Sequence, residues 1–278
     1  MANEVTRTAY NDAEFAAWVT GEILDENRPY NVSKPFFRYE GPQKSNAYDF
    51  PIQDDPGAAA TYTEGTGLSN TALTTSKATA TANQRGIMAT VTDEIQETAV
   101  FDVIDQVAGV LGRSVAEEFE TVATALYDDF ANTTGTAGVA HSYLTYVEAV
   151  GQLEQRDQMG TAVIVSDPAS VNQVRQDIGS SGAAIFGNDA MAVNGTQVAT
   201  MAGYAGFPIS GVPVFQTSLV TATGGACFLT NLALGLYEIR TPRVELERDA
   251  SLPGTEVVYT SRYGVVEIRD VAGETILI

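Results

Sequence analysis

Between Pro56 and Pro168 the chain carries no proline, and inside that interval lies the feature that most limits how it can fold. Val100, Ile104, Val107, Leu111, Val115, Phe119, Val122 and Leu126 recur at spacings of three and four, the period that lines side chains along one face of a helix. We read a single helix over Asp93–Phe130, about 50 Å long and several turns longer than a typical globular helix. Asp93, Glu94 and Glu97 stand at its start, where the positive end of the helix dipole favours negative charge. Gly109 and Gly112 each cost about 1 kcal/mol against alanine and are expected to mark a bend or a close contact rather than an end. A stripe of this length must be covered by a second layer.

The sequence offers strands as that cover. LALGLYEI, RVELERD and TEVVYTSRYGVVEIRDVAGETILI are almost pure strand pattern, with Val244 and Leu246 alternating with Glu245 and Glu247. From about Leu144 to Thr230 the rhythm is instead α/β. Leu144, Val147, Val150 and Leu153 form a helical stripe, and TAVIVS is a short apolar strand. Ser166 or Asp167 then caps a helix opened by Pro168, with Val171, Val174 and Ile178 on one face and Gly179 at its end. GSSGAAIFGNDAMAVNGTQVATMAGYAGFPISG reads as glycine-rich surface loop, VPVFQT and ACFLTN as strands, and NTTGTAGVAHSY as a flexible connector.

Ahead of the helix the chain is less self-sufficient. Phe15, Trp18, Val19 and Ile23 fall at helical spacing after Asn11 and Asp12, until Pro29 and Pro35 break the pattern. This short arm must bury its apolar face on its own body or on a neighbour. From Phe36 to Val91 come the extended piece AYDFPI and a threonine-rich run with the turn EGTGLSN and the alternating stretches KATATA and GIMATVT. We read a long two-stranded projecting loop. An isolated hairpin is marginal in water, so either another chain lies beneath it or it folds back onto its own domain.

Charge and chemistry exclude several functions. Thirty-five acidic residues oppose fifteen basic ones, a formal charge of −20. The only lysines are Lys34, Lys44 and Lys77. No basic face is visible that could displace counterions from DNA or RNA, so sequence-specific nucleic-acid binding is not expected. Such acidity suits either a surface hydrated in concentrated salt, where self-repulsion is screened, or an ordinary acidic cytosolic protein. Cys227 alone rules out an internal disulfide and reads as a buried strand residue. His141, the single histidine, sits in the connector without an evident catalytic partner. GTGLSN fails the dinucleotide-binding spacing, no phosphate-binding loop or nucleophile elbow occurs, and adjacent acids such as Asp54–Asp55, Glu117–Glu118 and Asp128–Asp129 do not face each other on a helix. No cofactor, metal site, catalytic residue or membrane contact is expected; the start MANEVTRTAYNDAEF has no apolar leader, and no run of about 18 apolar residues occurs.

The order of short arm, projecting loop, long helix, α/β block and returning strands resembles the major capsid proteins of tailed viruses, the Hong Kong 97-type fold of the α+β class. The resemblance runs from about Phe36 onward and is carried by TYTEGTGLSNTALTTSKATATANQRGIMATVTDEI leading into the helix, by GFPISGVPVFQT and by RYGVVEIRDVAGETILI. It implies an N-terminal arm over 1–35, an extended loop over 36–92, a peripheral domain with a spine helix over 93–142, an axial domain over 143–235 and returning peripheral strands over 236–278. It also implies self-assembly as hexamers and pentamers, in the host cytoplasm, into an icosahedral shell enclosing double-stranded DNA. Portal, scaffold and cement proteins are the implied partners, and a halophilic archaeon is a host that would match the acidity. Some relatives cross-link a loop lysine to a late asparagine. Lys77 lies in the right stretch, but no asparagine follows Asn231, so no such bond is expected. Candidate subunit-interface residues are Glu64, Lys77 and Arg85 on the loop, Arg113 on the helix, and Arg240, Arg243 and Arg248 on the returning strands, because arginine can hold a carboxylate in a two-pronged pair. An encapsulin-like cargo shell and a soluble α+β enzyme are the competing readings.

Overall fold

The computed structural model describes residues 31–53, 57, 59, 61, 64–65, 72–98, 103–156, 160–180, 204–220, 224–249 and 253–277. The arm helix, most of the loop tip and the glycine-rich stretch 181–203 lie outside the described residues. Three sheets organise the rest. A four-stranded sheet has the order β1 (Arg38–Glu40), β10 (Leu234–Asp249), β11 (Gly254–Glu267), β4 (Asn83–Thr92). A six-stranded sheet runs β5 (Thr133–Gly135), β12 (Gly273–Leu277), β9 (Gly225–Leu229), β6 (Ala162–Ser166), β8 (Val212–Gln216), β7 (Tyr204–Ile209). The third is the antiparallel pair β2 (Ala47–Gln53) and β3 (Thr75–Thr81).

The long helical region is present in pieces. α1 spans Asp93–Thr98 and α2 spans Val103–Ala125, with residues 99–102 outside the described set. It ends earlier than the periodicity suggested: Leu126–Asp128 tighten into a 3-10 turn, and Phe130 leaves the helix to join the core. α2 runs unbroken through Gly109 and Gly112, so neither ends it. Its buried seam combines two of the large residues that set the period, Leu111 and Phe119, with small and polar ones between and beyond them. Ala108, Ala116, Glu120, Ala123, Thr124 and Tyr127 are fully buried, while Val107, Val115 and Leu126 are only half-buried at the flanks. Small side chains let the helix approach closely. Its first half packs on Val244, Val257 and Tyr259 of β10 and β11, which is the cover expected. Its second half meets Phe36, Phe37, Phe228, Leu234, Leu236 and Tyr263 where the two larger sheets join. A large apolar side chain buried there contributes about 1.5–3 kcal/mol.

Several strands pair differently from the sequence expectation. The two strands of the hairpin are AYDFPIQ and TSKATAT; GIMATVT instead belongs to β4 and pairs along its length with β11. β10 is one sixteen-residue strand that joins LGLYEI to RVELERD through Pro242. Proline cannot donate to the ladder, and β10 carries it through register shifts between Glu238 and Arg243. The terminal GETIL leaves the returning strands and enters the six-stranded sheet between β5 and β9.

The six-stranded sheet is covered by α3 (Tyr143–Gln155) and α4 (Pro168–Ser180). Ser142 caps α3 through a reciprocal pair with Thr145. The buried face of α3 is Tyr146, Ala149, Val150 and Leu153, so Leu144, expected in the stripe, is instead 72 % exposed. Asp167, of the two candidates, caps α4: its carboxylate accepts from Ala169 N–H at 2.8 Å. Val171, Val174 and Ile178 form the buried face as expected, and Cys227 is fully buried in β9.

Candidate subunit interface

The hairpin alternates strictly. Tyr48, Phe50, Ile52, Ala78 and Ala80 turn inward, while Asp49, Lys77 and Thr79 turn outward. Its base is seated on its own body: Phe50, Ala80 and Ala82 pack with Tyr237 and Ile268. Tyr237 stacks on Tyr48 at 5.4 Å, and its hydroxyl reaches the carbonyls of Ser45 (2.8 Å) and Gln43 (3.2 Å). Ala82 N–H donates to Asn46 O at 2.9 Å. On the outer face Lys77 Nζ and Thr79 Oγ1 each donate to Asp49 at 2.6 Å, which holds the Asp49 carboxyl below its ordinary range. Glu64 sits on an exposed turn of the loop.

The arginines divide into two groups. Arg85 is bound within the subunit, ion-paired with Glu118 of α2 and lying 4.8 Å over the Tyr263 ring, while Tyr263 donates to the same Glu118. It lines a cleft of about 430 Å³ between α2 and β4 together with Ile87, Ser114, Val115 and Tyr259. Arg248 grips Asp93 with both nitrogens, at 2.6 and 3.2 Å, joining the end of β10 to the start of α1. Arg243 pairs with Glu245 on its own strand. Arg113 is exposed on α2. Arg240 stands across from Arg262 in the β10–β11 register, a like-charge juxtaposition that costs stability without a further partner.

Three polar constellations were not foreseen. Glu120, fully buried, accepts from Ser33 N–H at 3.1 Å and from the Ser33 hydroxyl at 2.5 Å, and Tyr127 OH lies 2.6 Å from that hydroxyl. Burial raises the Glu120 pKa against the opposing hydrogen bonds from Ser33 and Val32. Glu274 of β12 pairs with Arg156 and accepts from Thr134 Oγ1 at 2.5 Å. His141 is buried rather than loose in a connector, between Tyr146 and the Leu277 carbonyl. An isolated charge in an acidic helix, or a histidine among turn residues, has no local signal that separates it from a solvated one. Among the described residues, no group of three or more His, Cys, Asp or Glu is arranged to hold a metal ion, and no helix is long and apolar enough to cross a membrane.

No protein-family model matches the chain, and no curated protein matches its sequence. Solved structures do match in shape. The capsid of cyanophage P-SCSP1u aligns with TM-score 0.68 and 14 % identity, over 89 % of this chain and 88 % of that one. The capsid of Ralstonia phage GP4 aligns with TM-score 0.67 and 10 % identity, over 87 % and 86 %. The chain has the Hong Kong 97-type capsid fold. A virus-like particle from Pyrococcus furiosus shares it, with TM-score 0.63 and 7 % identity, over 95 % of this chain and 99 % of that one. At such identities the likeness is one of fold.

Proposed function

We propose that this chain is the major capsid protein of a tailed virus, assembling in the host cytoplasm as hexamers and pentamers into an icosahedral shell around a double-stranded DNA genome. The observation that carries this reading is that the capsid fold extends over nearly nine-tenths of the chain in both directions. In this reading the six-stranded sheet with α3 and α4 is the axial domain. The four-stranded sheet with α2 is the peripheral domain, and the β2–β3 hairpin is the base of the extended loop. Glu64, Lys77, Arg113, Arg240 and Arg243 are interface candidates, whereas Arg85 and Arg248 hold the subunit's own frame. Portal and scaffold proteins are the proposed partners of such a shell, with a cement protein as an optional addition.

The test is the molar mass of the purified chain at low and high salt, with electron microscopy of the same material. Closed shells are expected; a small oligomer of constant mass in every salt would contradict shell-building. The competing reading, an encapsulin-like cargo shell, has the same fold and is not better supported. A tailed particle filled with DNA and a small DNA-free shell separate the two.

A further inference from the structure

The two edges of the four-stranded sheet are built in opposite ways. Past Tyr237, where β1 stops, β10 forms one edge, and that edge is guarded. Pro242 supplies no N–H, the register shifts twice between Glu238 and Arg243, and Arg240, Arg243, Glu245 and Glu247 charge its length. Proline, bulges and charge are the devices that keep a strand edge from pairing with another chain. β4, the opposite edge, carries none of them. It pairs with β11 in unbroken register from Asn83 to Thr92 and contains no proline or lysine. Its one charge, Arg85, is turned inward onto Glu118. Alternate residues of β4 spend their N–H and C=O on β11, and those between turn theirs outward. Among the described residues no group takes the outward ones.

Charge and shape say what fits this edge. No Asp or Glu occurs between Glu64 and Asp93, in a chain of formal charge −20. Two copies can therefore meet along β4 without setting carboxylate against carboxylate. A groove of about 240 Å³ runs beside the same edge, between Ala89 and the α2 residues Val103, Val107, Val110 and Leu111. Val110 on its lip is 62 % exposed, and Met88, on the other face of the strand, is 57 % exposed. An unguarded edge with apolar side chains on both faces is a surface for strand addition.

We propose that β4 pairs antiparallel with β4 of a second copy, joining two four-stranded sheets into one across a two-fold axis. Residues directly opposite in an antiparallel pair point to the same face. Among the registers that keep both α2 helices on one face, the one centred on Met88 fits best. It sets Ile87 against the smaller Ala89 of the second copy, Arg85 against Val91, and each exposed Met88 against its counterpart. No like charges face each other. The same arrangement brings the second copy to the open side of the groove, where Val110 stands. The contact is self-complementary, so it closes at two copies. It rests on the sheet alone and requires no shell.

Only residue 88 meets itself in this register, which makes the test specific. Cys227 is fully buried, so a cysteine placed on the edge is the reactive thiol. Under mild oxidation of the full chain, Met88→Cys is expected to run on a denaturing gel as a disulfide-linked dimer. Opposite Cα atoms, about 4.5–5.5 Å apart, are within disulfide reach. Thr90→Cys, on the same face but opposite Gly86, is expected to stay monomeric. Met88→Lys sets two positive charges face to face and should halve the molar mass of the dimer in low-salt sedimentation. Met88→Glu should do the same, and an equimolar mixture of the two should restore the dimer, which also shows that both variants fold. A Met88→Cys chain that stays monomeric, equal linking of Met88→Cys and Thr90→Cys, or an unchanged mass in Met88→Lys would each overturn the pairing. Loss of the dimer in Met88→Lys without a link in Met88→Cys would overturn it too, by placing another segment on the edge. The gel reads the pair in free and assembled chains alike, so this contact and the capsid reading fail separately.

Discussion

A carboxylate in the centre of an apolar interface is held only if donors are built around it, and Glu120 has them in Ser33 and Val32. Glu120→Ala strands the Ser33 N–H and leaves the Ser33 hydroxyl with Tyr127 alone, and leaving a buried polar group unpaired costs about 1–3 kcal/mol. The urea midpoint is expected to fall accordingly, and a shift within the scatter of surface substitutions would contradict the clamp. Glu267 provides the pH-dependent counterpart. Burial, then the charges of Asp270 and Asp129, push its pKa up to about 7. A carboxyl whose folded pKa is raised contributes stability that is full below the unfolded carboxylate range and is lost as the pH climbs through about 7. Glu267→Gln, a permanent mimic of the protonated form, is therefore expected to melt with wild type at pH 4 and above it at pH 8. Identical melting curves at pH 8 would show that the repulsion is relieved by solvent.

At the scale of elements, the hairpin depends on how closely its base lies against β11. A Cβ at Gly264 would strike the Thr81 carbonyl and the Ala82 backbone, which cannot rotate away; at Gly235 it would meet the Phe50 ring and Ile268 Cδ1 at 2.9 Å, which can shift slightly. Overpacking costs about 1–3 kcal/mol, so Gly264→Ala is expected to lower the melting temperature clearly more than Gly235→Ala. The reverse order would mean that the hairpin base slides freely. Elements of this kind were partly legible from the sequence. Periodicity located α2, α3, α4 and the strands β6, β8 and β9, because large apolar residues carry the signal. It placed Leu111 and Phe119 correctly in the core but missed the alanines and Glu120 buried beside them, and it put Leu144 inside. Pairing was the harder part. GIMATVT and KATATA have the same alternation, yet one joins β11 and the other β2. Alternation says which way side chains point and nothing about which strand lies alongside. The GETIL strand was lost to the six-stranded sheet for the same reason. Of the interface candidates, Arg85 and Arg248 looked like isolated cations in sequence, but their carboxylate partners lie 33 and 155 residues away along the chain.

At the scale of the whole molecule, the proposed shell raises the question of how a chain of charge −20 would approach many copies of itself. Like charges on facing subunits repel over about 10 Å at 0.1 M salt and over about 3 Å near 1 M, so shell yield should rise with salt while the fold of the subunit changes little. The arginines then sort by what they hold. Arg85→Ala breaks a partly buried pair with Glu118 and exposes the Tyr263 face, so the subunit's own melting temperature should drop. Arg113→Ala, at an exposed position, should leave that temperature within about a degree or two, since surface changes are usually within ±0.5 kcal/mol. Arg240→Ala, at a half-buried position opposite Arg262, should not lower it, because it relieves a like-charge pair. Their effect should fall on the mass fraction sedimenting as shells, and most strongly at low salt, where an arginine offsets the greatest repulsion. If instead Arg113→Ala and Arg240→Ala lowered the melting temperature as Arg85→Ala does and left the shell fraction untouched, these side chains would belong to the frame of the subunit, and its contacts with other copies would have to be carried by the hairpin.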